Sequence, residues 1–104
     1  MIARTWSGRV PHHHADGFAA HLLDTGVAEA ASTPGNRGAQ VLHAAFDDHV
    51  EFRLITYWES WEAIRHFAGD DVSRAVLYPG DERYELTPSP SVEHHHVLTG
   101  GCAT

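Results

Sequence analysis

The sequence predicts an α+β fold: one four-stranded antiparallel sheet with two helices on one face. Three observations predict it. A chain of 104 residues suffices for one compact domain and excludes a multidomain enzyme. Apolar residues make up 42% and charged residues 20%, near the average of globular chains, which excludes a disordered one. Segments of strand period and of helical period alternate in the order β-α-β-β-α-β.

The elements follow in order. Ile2 to Val10 reads as a strand, closed by Pro11. From about Ala15 to Ala31 the period is helical, with Ala15, Phe18, Ala19 and Leu22 on one stripe. The run Ser32-Thr33-Pro34-Gly35-Asn36 breaks the chain. Arg37 to Phe46 is a second strand, and Asp47-Asp48-His49 a tight connection. In the third strand, Val50 to Glu59, Phe52, Leu54, Thr56 and Trp58 share one face, and Arg53, Ile55, Tyr57 and Glu59 the other. Ser60 caps a helix to about Ala68 that Gly69 stops. A short further helix is expected from Asp70 or Asp71 through Leu77, then a turn at Pro79-Gly80-Asp81. Val92 to Thr99 is the last strand, which makes residues 1–99 the domain and 100–104 a frayed tail.

This order is the split βαβ, or ferredoxin-like, motif. In its usual arrangement the last strand lies antiparallel beside the first. Apolar residues on both faces of the third strand, Leu54 and Trp58 on one and Ile55 and Tyr57 on the other, call for a cover on each face. A second copy of the chain is the natural cover, so a homodimer is expected.

Charge and composition exclude several function classes. The net charge of −7 argues against nucleic acid as partner, because phosphate binding needs a basic face. No apolar run reaches the roughly 18 residues of a membrane span, and the N-terminus is unlike a signal peptide. The expectation is a cytoplasmic chain without membrane contact. Cys102 is the single cysteine, so it has no disulfide or CxxC partner.

The stretch Leu54 to Phe67, LITYWESWEAIRHF, resembles the T-x-W-x-S-x-x-A-(I/F)-x-x-(F/W) block of the antibiotic-biosynthesis-monooxygenase-like family. The break Thr33 to Gly38, Pro79 followed by acids, and the closing Val92-Glu93-His94 match the same pattern. The resemblance implies a dimeric α+β barrel of ferredoxin-like subunits, each with a small pocket between sheet and helices. It implies a small-molecule ligand, and as activity the cofactor-independent oxidation of an aromatic or polyketide-like compound. Haem-degrading relatives carry an asparagine, a tryptophan and a histidine where this chain has Ser7, Phe67 and Leu77. On that ground haem is disfavoured, and the cofactor-independent activity that the resemblance implies leaves no cofactor expected.

Candidate site residues follow. Ser7, Phe18, Leu22, Leu54, Trp58, Phe67 and Tyr78 are expected to converge on an apolar substrate pocket, the plain alternative being that they fill the core. An oxygenase without cofactor needs a base to form the substrate anion, and His21 and His43 are the candidates for that catalytic role; each is equally readable as a hydrogen-bonded core or rim histidine. Ten histidines include the triplets His12-His13-His14 and His94-His95-His96. If the triplets meet at one end of the sheet, His13, His14, His94 and His96 offer a transition-metal site, the alternative cofactor reading. A solvated, pH-sensitive surface is the other reading of both triplets.

Overall fold

The computed structural model describes residues 1–100. The tail expected at 100–104 lies outside the described residues except for Gly100, and so does Cys102.

Strand β1 (Ile2–Val10) is central. It runs antiparallel to β3 (Val50–Trp58), with Ile2 opposite Trp58 and Val10 opposite Val50. β3 pairs in turn with β2 (Asn36–Ala45). The free edge of β1 receives two short strands: β4 (Thr87–Pro88) opposite Gly8 and Arg9, and β5 (Glu93–His96) opposite Ile2 to Thr5. The expected strand order holds, with the fourth position split in two. The split falls where Pro88 and Pro90 lack an N–H for the ladder.

One helical path covers the inner face: α1 (Ala15–Leu22), a π-helical turn (Leu23–Val27) and α2 (Ala28–Ser32). The second helix, α3 (Trp61–Ala68), begins where Ser60 Oγ accepts the Ala63 N–H at 3.1 Å. It stops at Gly69, whose φ of 89° favours glycine.

The short helix expected over 70–77 does not form. Asp71 instead holds the N–H and hydroxyl of Ser73. The Val92 N–H then donates to the Ser73 carbonyl and the Ala75 N–H to that of Pro90, so the segment pairs with residues 90–92. The carbonyls of Val72 and Arg74 are taken by the Arg4 guanidinium. Those are the oxygens a helix would need for its own ladder, so the tertiary partner wins over local propensity.

Two apolar clusters form the core. Val10, Phe18, Leu22, Val50, Phe52 and Leu54 make one; Ile2, Ala30, Trp58, Ala63 and Ile64 make the other. The opposite sheet face, carrying Thr5, Ser7, Arg53, Ile55 and Tyr57, stays partly open. Among the described residues no helix is long and apolar enough to cross a membrane.

Candidate functional site

A cavity opens between the inner sheet face, α1 and the segment 76–81. Trp6, Phe18, Leu22, Leu54, Phe67 and Val92 form its apolar walls, and Arg4, Tyr78 and Asp81 bring polar groups to it. The centre of a water molecule can move within about 30 Å³, room for about two waters.

Local structure explains each wall. Arg4, Trp6 and Gly8 alternate onto the inner face of β1. Gly8 lets the Trp6 indole lie flat across the strand, since a Cβ there would stand 2.7 Å from the ring. The π turn places Thr25 and Gly26 at the cavity rim, and such insertions concentrate at functional sites. Phe67 leans on Trp58 with ring centroids 5.4 Å apart.

Arg4 is the buried charge of the site, with 4% of its surface exposed. Its Nη1 donates to the Val72 carbonyl at 2.5 Å and lies 3.1 Å from His94 Nε2; Nη2 donates to the Arg74 carbonyl at 2.9 Å. No carboxylate pairs with it among the described residues. Burial pulls its pKa down to about 10, which leaves it charged at neutral pH. Among the described residues, the buried Tyr78 hydroxyl and Trp6 Nε1 have no hydrogen-bond partner. Burial first, then the nearby Glu29 carboxylate, push the Tyr78 pKa above its ordinary value. Tyr78 therefore stays a neutral O–H donor.

Five of the expected pocket residues, Phe18, Leu22, Leu54, Phe67 and Tyr78, do line this cavity. Ser7 does not: strand alternation turns it to the other sheet face, where it borders a groove with Arg9 and Glu51. Trp58 does not either. It is fully buried behind the wall and donates Nε1–H to Thr56 Oγ1 at 2.8 Å.

The two candidate bases are separated. His21 sits behind the cavity wall, Nε2 at 2.6 Å from Asp81 Oδ1. Asp81 Oδ2 accepts the Tyr78 N–H at 2.9 Å. His43 is exposed, because β2 runs beyond the helical cover, and it stacks on Phe52 away from the cavity.

The two histidine triplets do not meet. His12–His14 form a 3-10 turn past the end of β1, whereas His94 lies opposite Arg4 near its start. Six strand residues from Arg4 to Val10 separate them by roughly 20 Å. The sequence misplaces His94–His96 because the last edge begins at Thr87, not Val92. His13 and His14 converge instead on Glu85 Oε2, at 3.4 and 3.0 Å. These three ligand atoms lie within 4.8 Å of one another, close enough to share a cation, on an exposed surface.

No family model matches the chain, and no curated protein matches it. Solved structures do. A variant of MhuD with two manganese protoporphyrin IX bound per active site aligns at TM-score 0.64 and 20% identity, over 97% of this chain and 100% of that one. Rv0793 from Mycobacterium tuberculosis aligns at TM-score 0.54 and 16% identity, over 96% and 98%. At these identities the likeness establishes the fold. It is a ferredoxin-like α+β fold.

The first of these structures corrects the cofactor expectation. A chain without cofactor, with haem disfavoured, conflicts with a protein of this fold that holds a metalloporphyrin in its active site. The departures at Ser7, Phe67 and Leu77 were too narrow a ground. Phe67 and Leu77 still line the cavity, so changing the residue types leaves the space between sheet and helix in place.

Sequence reasoning missed Arg4, Trp6 and Asp81. Arg4 and Trp6 carried a usable signal: they share the inward parity of Ile2 and Val10 on β1. Asp81 carried none, since its turn position is what any Pro-Gly-Asp predicts.

Proposed function

We propose that this chain is a small-molecule-binding protein of the antibiotic-biosynthesis-monooxygenase-like type, taking a planar, mainly apolar ring compound into the cavity and promoting its oxidation. The observation that carries the reading is the lining: the aromatic walls Trp6, Phe18 and Phe67 with Arg4 and Tyr78 as the polar groups among them. Aromatic and polyketide-like compounds have that shape. Porphyrin is the ring that a protein of this fold binds; once the segment over the cavity is displaced, the apolar walls would face such a macrocycle and the Arg4 cation its acid groups. A metalloporphyrin, when bound, would supply the redox chemistry of its metal.

The chain's own residues exclude water, orient the ring and handle protons. Asp81 on the wall is the proton acceptor for a ring hydroxyl. His21 acts through Asp81, fixing its carboxylate by the 2.6 Å contact, and is a positioning residue. His43 takes no part. A ring larger than two waters enters by displacing the segment 76–80, which carries no helix and is tied to α1 through the Asp81–His21 contact.

The same reading makes the chain a homodimer, a second copy covering Ile55 and Tyr57 on the open sheet face. Sedimentation should give twice the chain mass, and Ile55→Glu should give one chain mass.

The test of function is titration of the full chain with protoporphyrin IX and with a hydroxylated polycyclic aromatic, followed by absorption and oxygen uptake. Saturable binding of either ring, with substrate-dependent oxygen uptake, is expected. Failure to bind any flat ring compound ends the reading.

A further inference from the structure

Every side-chain oxygen of the cavity lining except the Tyr78 hydroxyl already makes a hydrogen bond. Both Asp81 oxygens are engaged, by His21 and by the Tyr78 N–H. Thr56 Oγ1 accepts from Trp58, and Thr25 Oγ1 donates to the His21 carbonyl. Against these stand the Tyr78 hydroxyl and Trp6 Nε1, both buried without partner among the described residues. Arg4 adds a buried positive charge whose hydrogen bonds go to two neutral carbonyls and one imidazole. A buried cation without counter-charge is costly, and each orphaned donor adds to that cost.

We infer that the ligand is an organic anion: a flat apolar ring system bearing a carboxylate, which Arg4 receives as counter-charge and Tyr78 meets as a neutral donor. The inference rests on the reading that the cavity takes a ring compound, and it names the chemical class of that compound. Arg4 also clamps the segment 72–74 to β1. That clamp requires N–H donors but not an uncompensated charge, so the clamp alone leaves the charge unexplained. Guanidinium N–H groups remain beyond the three engaged contacts, and a planar fork suits a carboxylate. The Glu29 carboxylate stands close enough to the Tyr78 hydroxyl to raise its pKa, but outside hydrogen-bond geometry, so the O–H remains free to turn to a ligand.

The experiment is calorimetric titration of the full chain with anthracenecarboxylate and with its neutral counterpart anthracenemethanol. The acid should bind tighter by about tenfold or more, the scale of one charge-assisted hydrogen bond. Arg4→Met should abolish that preference, Arg4→Lys should keep part of it, and Tyr78→Phe should reduce it severalfold. Tyr78→Phe and the wild-type ratio decide the matter even if Arg4→Met does not fold. Equal affinity for the two probes overturns the anion assignment and leaves the ring-compound reading standing. An acid preference that survives Arg4→Met in a folded chain also overturns it. Binding of neither probe ends the ring-compound reading, and the anion assignment with it.

Discussion

His21 Nε2 and Asp81 Oδ1 meet at 2.6 Å across sixty residues of chain, both largely shielded from solvent. The contact ties α1 to the turn that follows Tyr78. The second Asp81 oxygen holds the Tyr78 N–H, so one carboxylate fixes both the helix and the residue that brings a phenol to the cavity.

His21→Ala should therefore destabilise the chain by about 1–3 kcal/mol, the cost of leaving a part-buried charged group without its partner. Asp81→Ala should cost a similar amount. The double variant should cost little more than either single one, because both remove one interaction. Thermal unfolding of the four proteins checks this; strictly additive losses would mean that the two residues act independently.

Much of the fold was legible in the sequence because periodicity and caps report it locally. Ser60, Gly69 and the alternation Phe52-Leu54-Thr56-Trp58 all stand where the sequence placed them. The segment 70–77 was misread as helix because its conformation is set by Arg4, far away in sequence. The cavity was half legible. The apolar periodicity that carries Phe18, Leu22, Leu54 and Phe67 is a pattern, whereas the distinction between lining and backing, Phe67 against Trp58, is a matter of packing depth. The meeting of the histidine triplets failed on one boundary: the last edge starts five residues earlier than its apolar pattern does.

Gly35 has φ of 91°, and a Cβ there would stand 2.5 Å from the Ala63 side chain. Gly35→Ala combines backbone strain with a clash against α3. It should lower stability by about 1–3 kcal/mol, where Gly69→Ala, with open space around it, pays for the backbone alone. Denaturant melts of both variants test the ranking.

Gly8→Ala acts on the site more than on the fold. The new methyl would meet the Trp6 ring at 2.7 Å, and the ring must swing toward the cavity. Affinity for a flat ring compound should fall by about tenfold or more, a loss of at least about 1.4 kcal/mol. Binding titration checks this, and unchanged affinity would mean that Trp6 does not border the ligand.

His94 gives a pH dependence with a definite sign. Burial first, then the Arg4 charge, hold its pKa below the ordinary 6.5. Nε2 must accept from Arg4, so the neutral ring is the folded form. The unfolded chain then binds the proton more readily, and protonation favours unfolding. The His94 contribution is complete above the unfolded pKa and is lost as pH falls below it toward the depressed folded value. Between about pH 7.5 and about pH 5, the wild type should lose more stability than His94→Gln. Parallel stability curves for the two proteins would remove His94 from the account.

The central claim is that the ring compound binds between β1, α1 and the segment 76–81. The most direct measurement is the amide and side-chain NMR spectrum of the full chain during titration with anthracenecarboxylate. The account predicts shifts concentrated on Arg4, Trp6, Phe18, Phe67, Tyr78 and Asp81, with His13, His14 and the open face at Ile55 unmoved. Shifts confined to the histidine turn or to the open sheet face, with the cavity residues silent, would contradict it.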